Sequence, residues 1–245
     1  MNGRTPITLL LIAALSLVAA PAVAQDLSVS LGDGGSLSAR SIQLFVLLTV
    51  LSLAPGLAIM ITCFPFIVTV LSILRQAIGL QQSPPNMLIV SLALFLTYFV
   101  MEPVFTTAWE QGVTPLINEQ IDVETAFLRT LDPFRNFMAN RMDPETFEAM
   151  ASLRPNPETI NAGPDAPISA LVPSFLLSEI SRAFQVGFLV FLPFLIIDLV
   201  VAAVLMSMGM MMVPPAIVSL PFKLAFFVIA DGWSLIAGAL VRSYT

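Results

Sequence analysis

Met206-Ser207-Met208-Gly209-Met210-Met211-Met212-Val213-Pro214-Pro215 places five methionines and a closing Pro-Pro between two long apolar segments. Gly209 and Pro214-Pro215 oppose helix within the cluster, so the stretch reads as a turn joining two helices. A broken helix at membrane depth is tolerated only where protein buries it or where it lines a cavity. Methionine is unbranched and polarizable. A cluster of them therefore either fills irregular gaps in a core or forms a surface that closes and then deforms. Thioether clusters also bind Cu(I), but no His and no neighbouring Cys accompany this one.

The composition around the turn is that of a membrane protein. Hydrophobic residues make up 57% of the 245-residue chain and charged residues 11%, and the mean hydropathy is +0.92. A soluble domain has about 45–50% apolar and about 25% charged residues. The net charge of −6 excludes a basic nucleic-acid footprint. The chain has no histidine, so a Ser-His-Asp triad or a histidine-based zinc site is excluded within it. The lone Cys63 sits in an apolar run and reads as a small hydrophobe.

Residues 1–24 read as a cleavable signal peptide. Arg4 supplies the positive start, Ile7 to Ala20 the short apolar run, and Ala22-Val23-Ala24 the small-residue cleavage site, with an uncleaved anchor helix as the alternative. Residues 25–40 form a turn-rich periplasmic lead around Gly32-Asp33-Gly34-Gly35-Ser36. Residues 41–105 hold a first pair of hydrophobic segments, from about Ile42 to Leu74 and from about Met87 to Phe105. Residues 106–183 form a periplasmic helical domain. Residues 184–245 hold a second pair, Phe184 to Met206 and Ala216 to Leu240, with the Met-rich turn between them. Each segment supplies the roughly 20 mostly apolar residues needed to cross a bilayer. The first is too long for one straight span. Pro55-Gly56 and Pro65 predict that it kinks or folds into a hairpin.

Export of the mature amino terminus then puts Gly79–Asn86 and Gly209–Pro215 on the cytoplasmic side and the acidic middle segment in the periplasm. There the sequence predicts helices over Ile121–Phe137 and Pro144–Leu153. Asp143 is the N-cap of the second, with Pro144 at its first position. The segment has few apolar residues for a core of its own and is expected to be ordered mainly against neighbouring subunits.

Asp198, Lys223 and Asp231 fall inside apolar segments. An ionisable group at that depth normally faces a partner, a protein interior or water. Asp198 and Lys223 lie at similar distances on either side of the Met turn, so they can pair across the hairpin. That pair could fix packing, relay a proton or ion, or line a pore.

Longer motifs carry a resemblance. Phe191-Leu192-Pro193-Phe194-Leu195-Ile196-Ile197-Asp198-Leu199-Val200 leads into Met208–Pro215, then Leu220-Pro221-Phe222-Lys223-Leu224 and Asp231-Gly232-Trp233. With Pro65-Phe66-Ile67, Gln81-Gln82-Ser83-Pro84-Pro85-Asn86 and the run from Glu179 to Phe188, the chain resembles the FliP family, core subunits of the flagellar type III export gate. The resemblance covers nearly all of the expected mature chain.

It implies an all-α protein of membrane-inserted, kinked helical hairpins that assembles as a homo-oligomer with FliQ and FliR into a helical pore complex. This complex would sit in the inner membrane within the flagellar basal body and pass unfolded flagellar subunits. It also implies that the segments bend strongly on assembly. Met210, Met211 and Met212 match the family's methionine gate. Phe137, Phe147 and Glu179 match positions that help subunits assemble. No catalytic residue, cofactor or metal is implied, and no GxxxxGK[ST] phosphate loop is present.

A membrane transporter of ions or small solutes, using Asp198, Lys223 and Asp231, is the alternative, although the inverted repeat common in transporters is not evident. An intramembrane enzyme built on Ser178-Glu179 or Asp198/Asp231 has no supporting motif.

Overall fold

The computed structural model describes residues 37–80, 83–155 and 160–244. The expected signal peptide and most of the expected lead lie outside the described residues, as do Gln81 and Gln82 of the first loop. The chain divides into two units, residues 1–50 and 51–245. Every regular element among the described residues is helical, as expected for an all-α protein.

Helix α1 covers Leu37–Met60. Its stretch Ser41–Met60 has a mean hydropathy of 2.2, and Leu51, Leu53 and Leu57 are all exposed. A helix that is apolar all round needs lipid or partner helices around it. The chain does not break at Pro55, which α1 carries in its interior. It breaks at Ile61–Cys63, just ahead of α2 (Phe64–Ile78). Pro65 explains the position, since proline is tolerated in the first turn of a helix, where its missing N–H has no partner to lose.

Helix α2 is the centre of the fold. Phe66, Ile67, Val70, Leu71, Leu74, Ala77 and Ile78 are all buried along it, and it packs chiefly on α7 and α3. Gly79, with φ of 87°, ends it. Helix α3 (Asn86–Ala108) continues through a single π-helical turn, Trp109–Val113, into the short α4 (Thr114–Ile117).

The acidic middle segment forms α5 (Val123–Arg141) and α6 (Pro144–Ser152). Asp143 caps α6 as expected, accepting from the Thr146 amide at 3.0 Å. The Thr146 hydroxyl and amide hold the Asp143 carboxyl below its ordinary range, so the cap is charged and intact at neutral pH.

The segment also has a core within its own chain. Met138, Met142, Phe147 and Ala151 pack with Ala166, Ala170, Leu171 and Phe175. The sequence expected order to come mainly from neighbouring subunits; within the chain, α7, which begins at Ile168 rather than near Phe184 and runs to Ser207, contributes to it. Its first turns supply the missing apolar wall.

Helix α7 is 40 residues long and carries Pro173 and Pro193 in its interior. It lies close against α2. A Cβ added at Gly187 would stand 2.4 Å from Ile73 Cδ1 and 3.1 Å from its Cγ2. After the Met turn come α8 (Pro215–Ile229) and α9 (Gly232–Arg242). These bend by 61° where the sequence predicted one continuous segment. Ser41–Met60, Asn86–Ile117 and Ile168–Ser207 are each long and apolar enough to cross a membrane, and the bent pair makes a fourth candidate.

Gly187→Leu is expected to destabilise the folded chain by about 1–3 kcal/mol, the usual cost of forcing volume into a packed core. Ile73→Ala in the same chain should recover part of that loss in thermal unfolding of the detergent-solubilised protein. Equal melting of Gly187→Leu and the parent would show that α2 and α7 do not meet there.

Candidate gate hairpin and its anchors

The Met turn begins with a defined stop. Gly209 has φ of +77°, a conformation that favours a residue without a Cβ. Its amide donates to the Met206 carbonyl at 3.1 Å, and the Met210 amide donates to the Leu205 carbonyl at 3.0 Å. This nested pair is the Schellman arrangement, which satisfies carbonyls left open at a helix end. Pro214 and Pro215 then start α8.

Between these two ends the methionines face outward. Met211 is 82% and Met212 97% exposed, whereas Met210 is 38% exposed. Side chains so open touch little of their own protomer. Beneath the turn, a wholly apolar cavity of about 560 Å³ lies between α7 and α8, walled by Ile197, Val201, Leu205 and Met208 on one side and Val218 and Phe222 on the other.

The stem of the hairpin carries its charged side chains at one level. Lys223 on α8 donates to Asp198 Oδ2 on α7 at 2.6 Å and to the Ala77 carbonyl of α2 at 3.2 Å. The Ser219 hydroxyl donates to Asp198 Oδ1 at 2.5 Å. Lys223 is buried, while the Asp198 side chain keeps 32% of its exposure. A buried ion pair offsets its desolvation only with good geometry and further hydrogen bonds, and both are present here. Asp198 and Lys223, singled out in the sequence as a possible pair, lie together across the hairpin. Asp231 does not join them. It stands exposed at the bend between α8 and α9 with φ of +47°.

A second polar cluster lies on the amino-terminal half of α7. Arg141, the last residue of α5, donates from Nε to Glu179 Oε1 at 2.9 Å and from Nη1 to the Ser243 carbonyl at 2.7 Å. The Tyr244 hydroxyl donates to Glu179 Oε2. The Arg141 guanidinium also lies 4.0 Å from the centroid of the Tyr244 ring. Burial, and then the Glu179 carboxylate, push the Tyr244 phenol well above its ordinary range, so it remains a donor.

Two of the expected assembly residues meet this cluster. Glu179 is at its centre and completely buried, and Phe137 stacks on Tyr244 at 6.0 Å. Phe147 is buried separately, in the core of the α5–α6 segment. Sequence reasoning missed Ser219, Arg141 and Tyr244. Ser219 had a usable signal, lying one helical turn before Lys223 on the same face. Arg141 and Tyr244 are far apart in sequence and had none.

The chain matches the model of the FliP family over residues 47–240. It is similar to the Flagellar biosynthetic protein FliP of Caulobacter vibrioides, with 48% identity over 239 residues, covering 97% of this chain and 90% of the relative. The protein of the same name from Bacillus subtilis is 45% identical over 207 residues, covering 83% of this chain and 92% of the relative. That from Aquifex aeolicus is 43% identical over 219 residues, with coverages of 89% and 91%.

Removing one member of the Asp198–Lys223 pair is expected to cost on the order of 3 kcal/mol, at the low end for buried pairs because Asp198 is part-exposed. Asp198→Ala should be worse than Lys223→Ala, since it strands the more deeply buried ammonium. Melting temperatures in detergent check the order. A reversed order would mean that the carboxylate, not the ammonium, depends on the pair.

Proposed function

Because the chain belongs to the FliP family, and so is a component of the flagellar export apparatus, we propose that it forms the protein-conducting channel of that apparatus. Several copies, together with FliQ and FliR, enclose a path through which unfolded flagellar subunits cross the inner membrane. The observation that carries this reading is the Met turn. Met210, Met211 and Met212 project from a helix stop that is fixed by its own hydrogen bonds.

A ring of such turns closes by contact between thioether side chains. These have many accessible rotamers and impose no single shape on what passes. The channel therefore accepts many cargo sequences, because none of its contacts is directional. The same softness lets the ring seal again around a moving chain and limit ion leak.

The stem must stay rigid while the tip deforms. The Asp198–Lys223 pair and the Ala77 carbonyl supply that rigidity by fastening α7, α8 and α2 at one level. This use of the two charges favours packing over ion relay. Lys223 already has two partners inside the chain and is shielded from water. The role of the protein is structural and conductive rather than enzymatic.

Phe137, Phe147 and Glu179 act in assembly by setting the shape of the α5–α6 segment, which presents the periplasmic surface to neighbouring subunits. In this reading residues 1–24 are removed on export, residues 106–183 lie in the periplasm, and the assembled protein sits within the basal body.

A strain lacking the gene is expected to stop releasing flagellin and hook protein into the medium, with release restored by the intact gene on a plasmid. Normal release and motility in the deletion strain would reject the role. Met210→Ala, Met211→Ala and Met212→Ala combined should fold normally, since these side chains are outside the core, and should raise ion conductance through the assembled gate several-fold. Unchanged conductance and export in the triple variant would remove the gate assignment while leaving the export role intact.

A further inference from the structure

The bend between α8 and α9 keeps its backbone bonds, with the Asp231 amide donating to the Val228 carbonyl and the Leu235 amide to the Asp231 carbonyl, each at 3.1 Å, but these leave the direction of α9 to packing. Asp231 adopts φ of +47°, ψ of 49°, a left-handed conformation, and its side chain makes no capping bond to α9. A non-glycine residue keeps such a conformation only where the surrounding structure over-determines it.

One constraint is adjacent to the bend. Phe227 of α8 meets Trp233 of α9 edge-on at 5.4 Å. A Cβ at Gly232 would stand 2.1 Å from the Phe227 ring, so the chain passes against the ring at a distance only glycine permits. The other constraint is at the far end of α9. Leu240 is buried in the α2–α3 core, and Ser243 and Tyr244 are drawn into the Arg141–Glu179 cluster.

That cluster is unusually well defined for the end of a short helix. The Tyr244 ring is stacked on Phe137 of α5, meets Phe66 of α2 edge-on at 5.6 Å and lies beneath the Arg141 guanidinium. Its hydroxyl completes the coordination of a fully buried carboxylate whose other oxygen takes Arg141. The neighbouring corner between α5 and α6 is tied to the same turn of α7, since the Asp143 amide donates to Ser178 Oγ at 3.0 Å. Residues from α2, α5 and α7 thus converge on one tyrosine beyond α9.

We propose that Tyr244 is a positioning residue, a latch that ties α9 to the α5–α6 corner and, through the strained bend at Asp231, sets the position of α8 and the Met turn. With the latch closed, α9 is fixed at its far end and α8 is fixed at Lys223, so the bend has no freedom. With the latch open, Glu179 Oε2 loses its donor, α9 is held at its far end only by Leu240 and the Arg141–Ser243 bond, and the bend gains freedom to relax toward ordinary helical geometry. The Met turn then keeps its own hydrogen bonds but loses its fixed orientation. The α5–α6 segment and the turn are in this way mechanically linked through about one short helix, by a side chain that touches neither the turn nor a cargo. The consequence for conduction rests on the reading of the Met turn as a gate, whereas the latch itself does not.

Two variants separate the ring from the hydroxyl. Tyr244→Phe keeps the packing and removes the donor to Glu179, and Tyr244→Ala removes both. Hydrogen exchange of the full chain in detergent, read by mass spectrometry, should be several-fold faster over residues 232–242 in Tyr244→Phe. In Tyr244→Ala it should be faster still and extend into residues 215–229, with residues 64–78 and 144–152 unchanged. Unaltered exchange over α8 and α9 would overturn the latch. A rise spread evenly over α2, α6 and α9 would also overturn it, by making Tyr244 an ordinary core residue. Ion conductance of the assembled gate then tests the link to the turn. If the methionine triple variant leaks and the released Tyr244→Phe protein does not, the link fails although the gate stands. If neither leaks, the gate reading itself fails.

Discussion

The ammonium of Lys223 is the constraint on which the hairpin depends. It is buried among apolar side chains, so its charge has to be met by oxygen atoms within the protein. It finds two, a carboxylate on α7 and a backbone carbonyl on α2. Ala77 can offer that carbonyl because α2 ends two residues later at Gly79, in the last turn of the helix, where carbonyls lack intrahelical partners. One charge therefore fixes the meeting point of three helices, and any sliding of α8 along α7 would strand it. Apolar contacts alone, which Phe194 and Phe227 make around the same level, would tolerate such sliding far better because they are not directional.

Much of this was legible in the sequence, because much of it is local. The Asp143-Pro144 start of α6 and the Gly209 stop of α7 are written in residues that adopt or cap particular backbone conformations. Asp198 and Lys223 lie at similar distances on either side of the turn, which made them a candidate pair. The beginning of α7 was not legible. Ile168 to Ala183 is less continuously apolar than Phe184 to Met206, and Pro173 lies within it, so hydropathy places the start too late. The break before α2 also depended on which of two prolines the helix could absorb. The Arg141–Glu179–Tyr244 cluster joins residues 38 and 65 positions apart, and no periodicity connects them.

The outer surface points to a chain that is incomplete alone. Phe95, Tyr98 and Phe99 on α3 and Phe184 and Phe188 on α7 are all more than half exposed, and within the Asn86–Ile117 span only 22% of its apolar stretch is buried. In water such a surface would aggregate. In a bilayer, or against further copies and other flagellar proteins, it is the expected finish. Association there rests on close packing rather than on expulsion of water, since lipid tails are as apolar as the side chains. This distinguishes the inside of the protomer, where polar clusters fix geometry, from its outside, where few directional bonds are on offer.

The two polar clusters and the Met turn divide the work by chemistry. Each cluster uses charge and hydrogen bonds, whose energies fall steeply when geometry changes, and each sits where movement would disturb the helical frame. The turn uses thioethers, whose contacts change little as they rotate. On the gate reading proposed above, the frame holds its shape while the Met turn yields, which needs both kinds of contact, kept apart. Here they are kept apart by α7 itself. Glu179 anchors its amino-terminal half and Asp198 its carboxy-terminal half, and beyond Asp198 the chain is free of ionisable groups through the Met turn until Lys223. The absence of charge over that last stretch is as necessary as its presence below. A single ion pair near Met211 would give the tip one preferred shape.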